Sequence, residues 1–154
     1  MAFVLPAALA SGLTDREAIV DALYRAVLSV DHADEALLLS AITPDISAEI
    51  AGLSAKGVAE FKATIFDHIS KLDTAHLLSN IRVNIQSAST AQATCSSWAR
   101  HARPGKGLEP GSDKFTAGGM YLCDMVKEGE LWKISSWRIN TVWVEGDPSV
   151  MAGQ

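Results

Sequence analysis

The sequence predicts an α+β domain in which N-terminal helices pack on one face of a bent antiparallel sheet. Three observations carry that reading. Helical periodicity is confined to the first 72 residues. Four segments rich in β-branched and aromatic residues follow, 76–87, 90–103, 114–127 and 130–145, each set off by turn signals. No repeat or linker interrupts the 154 residues, a length that suits one domain. A chain of this size buries roughly two thirds of its unfolded surface. Helices first and antiparallel strands afterwards put the helices on one side of the sheet. Curled over them, the sheet forms a cone with an open end, which is either a pocket or a packed core.

Each element has a local cause. "TDRE" at Thr14–Glu17 is a capping box, in which the threonine hydroxyl takes an orphan amide and the glutamate reaches back. Behind it Ile19, Leu23, Ala26, Val27 and Val30 share one face, predicting a helix over 14–30. "DEALLLSAI" (34–42) reads as a second, short helix, stopped before Pro44 because a residue preceding proline disfavours the helical region. "DISAEIAG" alternates enough for a short strand ended by Gly52. Residues 55–72 read as a third helix with Val58, Phe61, Ile65, Ile69 and Leu72 facing inward. "EGE" at 128–130 is a tight hairpin, and "PGKGLEPGSD" (104–113) a mobile connection. The last strand should be long and central, burying Trp132, Ile134 and Trp137.

Composition narrows the function. With 48% apolar and 20% charged residues, the chain suits a soluble globular protein with a sizeable core. A net charge of −5 without a long basic run argues against a nucleic-acid partner. Cys95 and Cys123 form no CxxC, and no His/Cys set has zinc spacing, so free thiols and no metal are expected. The opening "MAFVLPAALA" is apolar and ends in small residues, but it lacks a basic start and Pro6 interrupts it. No stretch approaches the ~20 apolar residues of a membrane span. A cytoplasmic location follows as the expectation.

The succession "DREAIVDALYRAVLSVDHAD", "TPDI", "GVAEFKATI", "AHLLSNIRV" and "ELWKISSWRINTVWVEGDP" resembles the SnoaL-like branch of the nuclear transport factor 2-like superfamily. Within it, the chain looks most like scytalone dehydratase and the hexachlorocyclohexane dehydrochlorinases. The resemblance spans about residues 13–148 of a single domain, 1–154. It implies a cone-shaped α+β barrel with a deep, largely apolar pocket and no cofactor. It also implies a homodimer or homotrimer built on the outer face of the sheet. Apolar strand positions such as Ile81, Val83 and Val142 cannot all fit inside one small cone, which agrees.

Those enzymes use an Asp–His pair. Their aspartate ends the first helix in a context like "AVLSVD", here Asp31, and their histidine opens a strand in a context like "HxxxN", here His76 with Asn80. The residue types agree: histidine is the usual general base near neutrality, and a carboxylate on its far nitrogen fixes the tautomer. Alternatively, Asp31 terminates a helix and His76 sits at a strand edge. Strict alternation puts His76 on the face of Asn80, Arg82 and Asn84, which reads as solvent-facing, while Ile81, Val83 and Ile85 point to the core. A dyad therefore requires a bulge or a change of partner between about 76 and 81.

The rest of the candidate site is less constrained. Tyr121 stands where scytalone dehydratase has a substrate-binding amide; it suits polarising a carbonyl, or is an ordinary core tyrosine. Gly118 and Gly119 weaken a strand unless a ligand or a tight bend comes close. Ala91, Ala93, Cys95 and Ser97 form a small-residue face that leaves room. Trp137 falls where the family lines its pocket, to stack on a flat substrate or to fill the core. Scytalone dehydratase has a second histidine where this chain has Cys95, and its two substrate-binding tyrosines correspond to Val30 and Ile50. The dehydrochlorinases have a basic residue at the position of Ala26 and an arginine near Trp137. Tyr24 and Glu49 are the candidates for replacement polarity. His32, His68 and His101 read as surface residues. Two functions stay open: a cofactor-independent dehydratase, isomerase or cyclase acting on a hydrophobic polyketide- or terpenoid-type intermediate, and a binding or assembly module with the same cone.

Overall fold

The computed structural model describes residues 4–10 and 12–152, so the first three residues of the apolar opening lie outside it. Helix α1, Asp15–Asp31, starts at the capping box foreseen: Thr14 accepts from the Glu17 amide, and Glu17 accepts from the Thr14 amide at 2.8 Å. Its five anticipated apolar positions are all buried. Arg25, on the same helix, is buried as well. It pairs with Asp21 at 2.8 Å, donates to the Trp132 carbonyl at 2.9 Å and also reaches Ser40, tying the helix to its neighbours.

Helix α2, Glu35–Ala41, runs straight into strand β1, Ile42–Ile50, which starts earlier than the sequence suggested. Pro44 stops the helix but lies inside β1, and pairing with the neighbouring strand is irregular between Ile42 and Ser47, where a missing amide is tolerated. A short strand β2, Leu53–Lys56, pairs antiparallel with β1 and takes up what read as the start of the third helix. That helix comprises α3, Gly57–Phe61, a π-helical turn, Lys62–Phe66, and α4, Asp67–Ile69.

Four long strands follow: β3, Asp73–Ile85; β4, Thr90–Ala102; β5, Lys114–Glu128; and β6, Leu131–Gly146. With the first two they make one six-stranded sheet in the order β2-β1-β6-β5-β4-β3. All pairs are antiparallel except β1 with β6. The sheet is curved and unclosed over the helices, the α+β cone anticipated. Strand β6 is central, and Trp132, Ile134 and Trp137 are buried in the core that the sheet forms with α1, α2 and the third helix. Among the described residues no helix is long and apolar enough to cross a membrane.

Three details correct the sequence reading. The 104–113 connection is clasped rather than loose, because Asp73 accepts from the amides of Gly105 at 3.1 Å and Gly107 at 2.7 Å. Ile81 and Val83 pack against the core, where alternation along the strand put them, so they do not count among the apolar positions that the cone leaves outside. The exposed apolar residues there are Leu77, Met120, Val142 and Trp143. Finally, what approaches the paired glycines is strand β6 itself. A Cβ at Gly118 would meet the Trp143 indole at 2.2 Å, and one at Gly119 the Asn140 carbonyl oxygen at 2.4 Å.

Candidate active site

The bulge required between 76 and 81 is present. Ser79 pairs with Ser96 and Arg82 with Thr94, so Asn80 and Ile81 together oppose Cys95, and Asn80 adopts a φ of 53°. Asparagine tolerates that left-handed conformation better than most residues. The extra residue switches the inward face of β3 from even to odd numbers. His76 and Leu78 point inward before it, Ile81 and Val83 after it.

At the end of α1, Asp31 does not serve its own helix. Its Oδ1 meets His76 Nδ1 at 2.6 Å, and its Oδ2 accepts from the His76 backbone amide at 2.9 Å. Both side chains are about nine-tenths buried, at 10% and 11% exposure, although 45 residues separate them in the chain. One carboxylate thus grips one residue twice, fixing the ring and the strand that carries it. With Nδ1 committed to the carboxylate, Nε2 is the ring nitrogen left for chemistry.

A second histidine completes the cluster. His101 is buried, not on the surface as its isolated position in the sequence suggested, and meets the His76 ring edge-on at 5.3 Å between centroids. Its Nδ1 shares a hydrogen bond of 2.8 Å with Thr74 Oγ1. Burial, reinforced by His76 and opposed by Asp31, pushes its pKa down to about 4, so it is a neutral imidazole at physiological pH. The signal for it was available: Ala91, Ala93, Cys95 and Ser97 share the inner face of β4, and continuing that alternation reaches Ala99 and His101. The strand face that carries Cys95 thus carries a histidine six residues further along.

Cavity space lies beside this cluster. A chamber of about 100 Å³ is bounded by His76, His101, Ser97, Phe115, Gly119, Tyr121 and Met151. A smaller one of about 30 Å³ shares Ile50, Ile69, His76, Tyr121 and Ile139 with it and is closed by Phe61 and Trp137. On the far side of Asp31 and His101 runs a surface groove of about 700 Å³, also lined by Thr74, Arg100, Leu108 and Lys114. Asp31 and His101 are thereby bordered by free space that His76 does not line.

Of the residues singled out in the sequence, His76, Asp31, Tyr121, Gly119 and Trp137 are gathered here. Tyr121 is buried; burial, and then the neighbouring thiols, raise its pKa well above the ordinary phenol value against the opposing effect of Ser97, so it acts only as a neutral group. Cys95 packs beside Tyr121 in the core rather than in the chamber wall, and burial pushes its thiol up to about 11. Three candidates lie elsewhere. Tyr24 is exposed on the outer side of α1, beside Leu13 and Val20, because Leu23, Ala26 and Val27 take the inner side. Glu49 is exposed because alternation on β1 buries Ala48 and Ile50. Asn80 is spent on the bulge, and its amide donates to Ser96 at 3.1 Å on the exposed side. His32 and His68 are exposed, as expected. Among the described residues, no group of three or more His, Cys, Asp or Glu is placed to hold a metal ion.

Comparisons with known proteins place the fold. Residues 11–138 match the SnoaL-like domain family. Over 148 residues, 95% of each chain, the sequence is 44% identical to the terrestric acid biosynthesis cluster protein E of Penicillium crustosum. A candidate scytalone dehydratase from Novosphingobium aromaticivorans DSM 12444 superposes with a TM-score of 0.74 over 86% of this chain and 87% of its own, at 20% identity. A hexachlorocyclohexane dehydrochlorinase from Novosphingobium barchaimii LL02 gives 0.69 over 88% and 91%, at 18% identity. At such identities the structural likeness is one of fold.

Proposed function

This chain belongs to the SnoaL-like family, and from that premise we propose that it is an acid–base enzyme whose own side chains move the proton, acting on a hydrophobic intermediate of secondary metabolism. One observation carries the reading: Asp31 holds both the ring and the backbone of His76 at 2.6 and 2.9 Å beside a cavity. With Nδ1–H donating to the carboxylate, Nε2 presents a lone pair and takes a proton next to a carbonyl or leaving group. The imidazolium that forms is stabilised by Asp31. Tyr121 and the neutral His101 border the same chamber and supply hydrogen bonds to the negative charge that develops. A positioned base of this kind contributes roughly 10²–10⁴-fold. Loss of a leaving group, reprotonation elsewhere or ring closure would make the enzyme a dehydratase, an isomerase or a cyclase. The apolar walls favour a polyketide- or terpenoid-type substrate, and the relative named for a biosynthesis cluster supports that setting.

A second reading, a binding or assembly module, is favoured by the size of the space: the chamber beside the dyad holds about 100 Å³, below the roughly 300–1,000 Å³ usual for ligand pockets. One experiment separates the two. Intermediates extracted from a producing strain that lacks the gene are incubated with the wild type and with His76→Ala, and products are followed by mass spectrometry. The enzyme reading requires conversion by the wild type and loss of it in the variant. Equal conversion by both returns His76 to a structural role.

A further inference from the structure

Resting on the acid–base reading above, we propose that Trp137 is the specificity-determining donor of the site, and that the substrate is an apolar molecule bearing a carbonyl oxygen that accepts from its indole N–H. The polar groups around the inner chamber are three. His76 has Nδ1 on Asp31, and the Tyr121 hydroxyl has Ser97 as its polar neighbour. Trp137 Nε1 is buried and has no hydrogen-bond partner. Its ring neighbours do not replace one: Phe61 stacks at 6.0 Å and Tyr121 meets it edge-on at 5.4 Å, and a π face is a weak acceptor.

A buried donor left without an acceptor is rare and unfavourable. Phenylalanine would fill the same wall without it, as Phe61 does opposite. Trp132, by contrast, has its indole N–H on Asp15 at 2.9 Å. An acceptor delivered by the ligand accounts for the difference. The space agrees in scale. A chamber of about 30 Å³ admits a single group the size of an oxygen, since a water needs about 10–15 Å³ of such volume. The adjoining 100 Å³ beside His76 and His101 begins to house the apolar body. Nε1 is covered by its neighbours, so the acceptor reaches it as the aliphatic walls (Ile65, Ile69 and Ile139) give way.

The test uses the ¹⁵N-labelled full chain with two probes of one shape, cyclohexanone and methylenecyclohexane. The four tryptophans give four indole N–H signals, and that of Trp137 is identified by elimination in Trp98→Phe and Trp143→Phe, with Trp132 set apart by its bond to Asp15. Cyclohexanone should move the Trp137 signal downfield and methylenecyclohexane should not. The ketone should bind about tenfold more tightly than the alkene, a preference abolished in Trp137→Phe. A Trp137 signal indifferent to the ketone, binding of neither probe, or a preference that survives Trp137→Phe would each overturn the proposal. If Trp137→Phe fails to fold, the wild-type signal decides alone. Binding is read without turnover, so this result stands or falls separately from the His76→Ala assay.

Discussion

Replacing Asp31 by asparagine tests the dyad with almost no change of shape. The wild-type carboxylate accepts two hydrogen bonds, from His76 Nδ1 at 2.6 Å and from its backbone amide at 2.9 Å. An amide at position 31 has one oxygen and one NH₂, so it cannot accept both. Turned with its oxygen to the ring, it sets NH₂ against the backbone N–H, leaving a buried donor unpaired at a cost of about 1–3 kcal/mol. Turned the other way, it satisfies the backbone and donates to Nδ1. The second orientation is the better one, and it forces the proton of the neutral imidazole onto Nε2, where the base must have its lone pair. Activity should fall by ~10²–10⁴-fold, the range of general-base catalysis and of a wrong tautomer. Stability should change by about 1 kcal/mol or less, and rise if removing a buried charge outweighs the weakened hydrogen bonds to His76. Long-range ¹H–¹⁵N correlation on the His76 ring reads the tautomer without substrate, and turnover of the pathway intermediate reads the rate. A variant that keeps the Nδ1–H tautomer, or the wild-type rate, would refute the reasoning.

Other outcomes follow from single features. His101 binds its proton less readily folded, at about 4, than unfolded, at about 6.5, so the unfolded state gains protons first. Stability should therefore fall as pH drops from about 6.5 towards 4, and urea melts of His101→Phe at pH 7 and pH 5 should show a smaller loss than wild type. Asp15 has a lowered pKa, through the Trp132 indole first and then Lys127; its contribution is present above the ordinary carboxylate range and disappears as pH falls through the folded value, which Asp15→Asn should remove from an acid titration. On the outer face, Leu77, Trp98, Gly118 and Trp143 lie in one cross-strand row, and Trp143 stays 44% exposed. Sedimentation at micromolar concentration should find an oligomer that Gly118→Ala weakens by displacing the indole; a 16.4 kDa species alone would reject this.

The helices and long strands were legible because each obeys a local rule: a capping box, a 3.6-residue stripe, a period of two between turn signals. Asp31 and His76 were legible only through the resemblance, since nothing local says that residues 45 apart will meet. His101 and Arg25 escaped for opposite reasons. Alternation along β4 pointed to His101, but an isolated histidine after an arginine reads as surface. Arg25 lies among the inward residues of α1, and its burial depends on Asp21, Ser40 and the Trp132 carbonyl, partners that only the packed fold supplies. Tyr24 and Glu49 show the reverse error. Both are chemically apt, yet the periodicity that placed their neighbours inside already placed them outside.

The bulge in β3 is where fold and site constrain each other most tightly. It lets His76 face the cavity while Ile81 and Val83 still pack on the core, and without it one of these must turn outward. Asn80→Val disfavours the left-handed φ of 53° that the bulge requires and so drives the strand, with all its residues kept, towards strict alternation. If the N-terminal half of the strand holds its register, Ile81 and Val83 move to the outer face. They are only half-buried, so the loss is about 1 kcal/mol each against the 1.5–3 kcal/mol of fully burying such a side chain. If the C-terminal half holds instead, His76 leaves Asp31, giving up a pair of hydrogen bonds to a charged group worth about 1.5–3 kcal/mol each. The first path is cheaper, so Asn80→Val should cost about 2 kcal/mol and leave the Asp31–His76 hydrogen bond in place. Asn80→Gly, which suits a positive φ without side-chain strain, should hold the bulge and change stability by less than about 1 kcal/mol. Urea denaturation measures both, and the His76 ring ¹⁵N shifts report whether the pair survives. A neutral Asn80→Val, or one that frees His76 while Ile81 and Val83 stay covered, would mean that the bulge does not couple the two faces.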